Sequence, residues 1–140
     1  PAEWKADRAF LERCLKTSSE KIIKEPGQAA EFIGFYFKEP QVKKELLLSV
    51  KMKVDEEIAD RALSAVYEDL QNFGSWDSEE LLKERLLALV AKLGLKNGQV
   101  FWPTRVALTG EEFSPGVFEV LWALGKERAL ERLKKAIGNL

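Results

Sequence analysis

Apolar residues in this chain recur at helical spacing in short runs, and each run is soon cut by a residue that stops a helix. That punctuation is the feature that most constrains the fold. A run of this kind has one apolar stripe, and the stripe must be buried against another such run. Phe10, Leu11, Cys14 and Leu15 sit near helical spacing behind Trp4. Thr17 and Glu20 have capping-box spacing ahead of Ile22 and Ile23, and Pro26-Gly27 then breaks the chain. A short apolar helix is expected next, through Ala29, Ala30, Phe32, Ile33, Tyr36 and Phe37, ending before Pro40.

The stretch 42–48 is too short and apolar to separate helix from strand. Asp55 is a candidate N-cap for a helix carrying Ile58, Ala62, Ala65, Val66 and Phe73. Gly74-Ser75 marks a second break. Asp77 and Glu80 repeat the capping-box spacing, followed by the stripe Leu82, Leu86, Leu89, Val90 and Leu93, with Gly94 suited to end it. Asn97-Gly98 reads as a turn. The stretch from Val100 to Leu108 can be read as alternation, but Pro103 suits a first helical turn and Gly110 a C-terminal stop, so a short helix over 103–109 is favoured. Ser114-Pro115 reads as a helix start, Gly125 as its end, and a last helix is expected over 127–137. The expectation is an all-α fold. Two small helical subdomains, 1–74 and 75–140, would together form a superhelical cage.

Composition then removes several chemistries. The 140 residues include no histidine and one cysteine, Cys14. That excludes histidine-based triads, HExxH zinc sites, an internal disulfide and a cysteine-rich zinc site. With 46% hydrophobic and 32% charged residues the chain can bury a core. No apolar run approaches the roughly 20 residues that span a bilayer, so no membrane partner is expected. The lone cysteine suits a reducing compartment, and the expected location is cytoplasmic. The chain opens on Pro1 where translation opens on Met, which suggests a processed protein or an excised piece. A formal net charge of −1 points neither towards nor away from nucleic acid.

No constellation of catalytic residues stands out. Glu111-Glu112 and the trio Asp55, Glu56 and Glu57 precede or open helices, where negative charge is favourable, and no pair of acids is placed together by spacing. Lys51-Met52-Lys53 lacks the glycine-rich loop and the Ser or Thr of a phosphate-binding motif. Cys14 falls on an apolar face and reads as a buried thiol. Phe101 and Trp102 beside Arg105 are more suggestive. Aromatic faces stack on unpaired bases or support the groups that do, and a guanidinium can bond a base edge or a phosphate. The start of the Ser114-Pro115 segment offers free amides and a hydroxyl, which read either as an ordinary cap or as a contact for a base or phosphate.

One extended motif carries a resemblance. The run Lys96-Asn97-Gly98-Gln99-Val100-Phe101-Trp102-Pro103-Thr104-Arg105 continues to Gly110, then through Ser114-Pro115-Gly116-Val117-Phe118, Leu124-Gly125-Lys126-Glu127 and Leu130-Glu131-Arg132-Leu133. In order and spacing these blocks strongly resemble the C-terminal anticodon-binding region of bacterial-type glutamyl-tRNA synthetases. The first half resembles that family more loosely, through Lys16-Thr17 and the aromatic cluster before Pro40.

The resemblance implies a module that reads the anticodon loop of tRNA-Glu, with tRNA-Gln as a second candidate. It would act as a monomer, without a cofactor or metal of its own. The ATP- and Mg2+-dependent activation of glutamate would belong to a catalytic part of the parent ligase, whose motifs this chain lacks. It further implies that Arg105, Ser114, Pro115 and Val117 contact anticodon bases. Where the family pattern has an arginine shortly before Thr17, this sequence has Cys14, with Arg13 one residue earlier. Arg13 or Cys14 is therefore the candidate for selecting the first anticodon base. The competing class is a non-catalytic helical scaffold for protein partners, in which the same stripes are core and the charges are solvated.

Overall fold

The computed structural model describes residues 7–19, 24, 27 and 32–140. Trp4, Glu20, Ile22, Ile23, Pro26, Ala29 and Ala30, used in the expectations above, lie outside those residues. Six α-helices occur among the described residues: α1 (Arg8–Thr17), α2 (Lys44–Leu47), α3 (Glu56–Gln71), α4 (Glu79–Leu93), α5 (Asn97–Thr109) and α6 (Val117–Gly138). A 3₁₀ turn, Gly34–Tyr36, stands between α1 and α2. The all-α expectation holds. The ambiguous stretch 42–48 contains the short helix α2, and among the described residues the nearest approach to a sheet is an isolated bridge between Ser49 and Val54.

Local chemistry explains the helix ends. The Asp7 carboxylate accepts from the Phe10 amide and opens α1, and Asp55 accepts from the Ile58 amide and opens α3 as expected. Ser78, not Asp77, caps α4 by accepting from the Leu81 amide. Both residue types are favoured N-caps, but with Ser78 in place the third helical residue is Leu81, so the expected capping box with Glu80 does not form. Gly94 ends α4 in the left-handed region, φ 70°. α5 starts earlier than expected. Asn97-Gly98 is its first turn, because the Gln99 side chain turns back to accept from the Lys96 amide at 2.9 Å. Pro103 is therefore interior, its ring buried.

Gly125 was expected to end a helix, and the backbone there does leave the helical region, with φ 80° and ψ 170°. Only glycine adopts that conformation readily. The chain resumes at once, so α6 comprises two helical runs joined at Gly125, the second covering the expected 127–137.

The interior forms around α6, which packs on α1, α3, α4 and α5, while α3 also packs on α5. One buried cluster includes Phe10, Cys14, Tyr36, Leu63, Leu82, Val106, Leu121 and Leu133. The stripe Leu82, Leu86, Leu89 and Val90 is buried as expected. Polar pins fix the packing. Trp102 Nε1 donates to the Leu46 carbonyl at 3.0 Å, and Tyr36 Oη donates to Thr17 Oγ1 at 2.9 Å. Arg132 reaches from the second run of α6 and donates to the carbonyls of Phe35, Tyr36, Lys38 and Leu108 at 2.7 to 3.1 Å. No helix among the described residues is long and apolar enough to cross a membrane.

Candidate functional site

Arg105 lies near the end of α5, one turn after Trp102, so its guanidinium settles over the indole at 5.2 Å from the ring centroid. From there it reaches the loop between α5 and α6. Nη1 donates to Ser114 Oγ at 2.7 Å and, at 3.5 Å, to the Glu111 carbonyl; Nη2 donates to the Glu112 carbonyl at 2.7 Å. Burial holds the guanidinium below its ordinary pKa, and the nearby Glu112 charge opposes that shift. One hydrogen on Nε and one on Nη2 make no hydrogen bond among the described residues.

This arrangement corrects the reading of Ser114 as a helix cap. Gly116 occupies the cap position and no side chain caps α6. The Ser114 hydroxyl instead accepts from Arg105 and donates to the Pro115 carbonyl at 2.8 Å. A charged donor is the stronger partner, and it draws the hydroxyl away from the helix amides. Val117, the first residue of α6, is 6% exposed and packs into the core.

Ser114 and Pro115 form one wall of an open cleft of about 640 Å³. The end of α1 supplies a second wall, with Lys16 and Thr17, and Glu79 at the start of α4 a third. Glu119 and Trp122 of α6 close the remaining side. The fold thus joins the Ser114-Pro115 segment to the end of α1, two stretches nearly a whole chain apart. Two carboxylates share this cleft, although nothing in the sequence pairs them. Burial raises the Glu119 carboxyl above the ordinary value, and the charge of Glu79 adds to that. Glu79 and Glu119 belong to different helices, so no local spacing could have joined them. Among the described residues no group of three or more acids and cysteines could hold a metal ion.

The other expected residues divide into surface and support. Arg13 is half-buried, and its Nε donates to the Ala123 carbonyl at 3.3 Å. Cys14, next to it, is wholly buried, and burial pushes its thiol up to about 12. Of these two, only Arg13 has atoms at the surface. Phe101 packs edge-on against Phe118 at 5.1 Å, and Trp102 is tied to Leu46, so both brace α5 beneath Arg105. Glu79, Glu119 and Trp122 of the cleft escaped the sequence reading, and so did Phe113, 84% exposed, immediately before Ser114. For Phe113, a large apolar residue in an otherwise polar loop was the available signal.

The family model for an anticodon binding domain matches residues 2–137. Glutamate–tRNA ligase of Roseiflexus sp. (strain RS-1) is 39% identical over 130 residues, which is 93% of this chain and 25% of that protein. Glutamate–tRNA ligase of Clostridium tetani (strain Massachusetts / E88) is 31% identical over 135 residues, covering 96% of this chain and 27% of its own length. The chain therefore spans about a quarter of the curated relatives it matches. A crystal structure of a glutamate tRNA ligase from Elizabethkingia meningosepticum CCUG26117, in complex with its amino acid, is similar with a TM-score of 0.64. That likeness covers 95% of this chain and 29% of that one at 23% identity, and it speaks to the fold.

Proposed function

The chain belongs to the family of anticodon binding domains, and from that premise we propose that it reads the anticodon loop of a transfer RNA, tRNA-Glu first among them, as one part of a glutamate–tRNA ligase. The observation that carries this reading is the cleft. Ser114, Pro115 and the end of α1 meet there, with Arg105 holding the loop that forms its rim. The bases of an unpaired loop can be splayed so that their edges face outward. The amides at the start of α6 and the remaining Nε and Nη2 hydrogens of Arg105 are donors for such an edge. Thr17 and Glu119 add acceptors from opposite walls. A base that matches satisfies these groups, and one that does not leaves some of them unpaired and desolvated, which is where selectivity arises.

No residue of this chain is assigned a bond-making step. Activation of glutamate with ATP and Mg2+, and its transfer to the tRNA, are proposed for the remainder of the parent ligase. There, anticodon binding would orient the acceptor end. We further place first-base selection on Arg13 rather than Cys14, since the buried thiol cannot meet a base. The module is proposed to act as a monomer in the cytoplasm, where translation occurs.

The test is a titration of tRNA-Glu and tRNA-Gln transcripts at several salt concentrations, with the wild type, Arg105→Ala and Arg13→Ala. Arg105→Ala is expected to weaken tRNA-Glu binding about tenfold or more, as expected for loss of a charged hydrogen-bond donor. Arg13→Ala is expected to narrow the difference between the two tRNAs. Absence of wild-type binding at low salt would sink the reading, because phosphate attraction is strongest there.

A further inference from the structure

We propose that Phe113 is a stacking platform for one unpaired base of the anticodon loop, a reading that rests on the function proposed above. The ring is 84% exposed and makes no aromatic contact among the described residues, so it adds little to the core. The backbone on either side of it is nevertheless held. Arg105 grips the carbonyls of Glu111 and Glu112 before it and the hydroxyl of Ser114 after it. The loop therefore holds an apolar face in water, ready for a partner, on the residue next to Ser114 of the cleft wall.

The charge of that cleft says what kind of partner it needs. Lys16 is opposed by Glu79 and Glu119, so attraction for phosphate cannot supply much of the affinity there. Stacking is indifferent to charge and to base identity, because every base has a π face. Phe113 and Ser114 are neighbours in the chain, with Cα atoms about 3.8 Å apart. A base lying on the ring can thus bring its edge, or that of the next base, to the polar wall at Ser114. The ring supplies affinity, and the cleft supplies choice.

The experiment uses the full chain and the anticodon stem-loop of tRNA-Glu, with 2-aminopurine placed at each unpaired loop position in turn. With the wild type, one position should lose fluorescence on binding as the base stacks. Phe113→Ala should weaken binding roughly 5- to 100-fold and abolish that quenching, while Phe113→Trp should stay within about threefold of wild type. The Phe113→Ala loss should persist at high salt, unlike the loss of a phosphate contact. Phe113→Leu, apolar but without a π face, should fall between. Wild-type binding that Phe113→Ala leaves unchanged overturns the proposal while sparing the function. A wild-type dimer that dissociates on Phe113→Ala, with RNA binding intact, overturns it in favour of a protein contact. If the wild type binds no stem-loop, the function fails and the platform fails with it.

Discussion

Two arginines mark the two working regions of this molecule, and both are spent on carbonyls to different degrees. Arg132 donates both hydrogens of each terminal nitrogen to the carbonyls of Phe35, Tyr36, Lys38 and Leu108. Burial pulls it down to about 10. It therefore closes the 35–38 segment onto α5 and α6 and has little left to offer a ligand. Arg105 holds a loop with its outer fork and keeps a hydrogen on Nε and one on Nη2. The difference separates a guanidinium that completes a fold from one that completes a fold and still faces outward. Residue type and charge are the same; the number of unspent donors is what differs.

That contrast can be broken experimentally, and the largest effect should come from the more fully bonded member. Arg132→Ala strands four carbonyls, and we expect a loss of about 3 kcal/mol in urea melts. A loss below about 1 kcal/mol would mean that water replaces the guanidinium, and the distinction would collapse. Gly125→Ala should cost about 1–3 kcal/mol through backbone strain alone, because the added methyl meets nothing within 4 Å beyond its own stretch of helix. Arg105→Lys keeps the charge but loses the planar fork. It should cost under about 1 kcal/mol of stability yet weaken stem-loop binding about tenfold.

The smallest effect concerns Glu119, whose folded carboxyl is held above its unfolded value. The ionised form is then the disfavoured one in the fold. The penalty is fully present above the raised folded value and fades as pH falls towards the ordinary carboxylate range. Glu119→Gln should therefore raise the melting temperature by about 1–3 °C at neutral pH, and the gain should vanish on acidification. An unchanged or lower melting temperature at neutral pH would show that the carboxylate is satisfied where it stands.

What could be read in the sequence follows the range of the interactions involved. The Asp55 cap, the α4 stripe and the Gly94 stop are set within a turn or two of chain, and local spacing reveals them. Ser78 could displace Asp77 because both are favoured N-cap residues, one position apart. Ser114 misled because a Ser-Pro start is a local signal, whereas the bond that decides its hydroxyl comes from Arg105 on the preceding helix. Glu79 meeting Glu119, and Arg132 collecting carbonyls from two distant segments, depend on how whole helices pack. The residues named for the site were legible mainly through resemblance. Their division into rim, brace and core required the packed structure.

The break at Gly125 bears on how such a module can vary. In an unbroken helix, inserting one residue swings every later side chain by about 100° around the axis. The run of α6 that walls the cleft ends at Leu124, and the run anchored by Arg132 begins beyond the glycine. The joint gives a shift in rotational register a place to be absorbed. One run can thus drift in sequence length and phase while the other keeps its own aim.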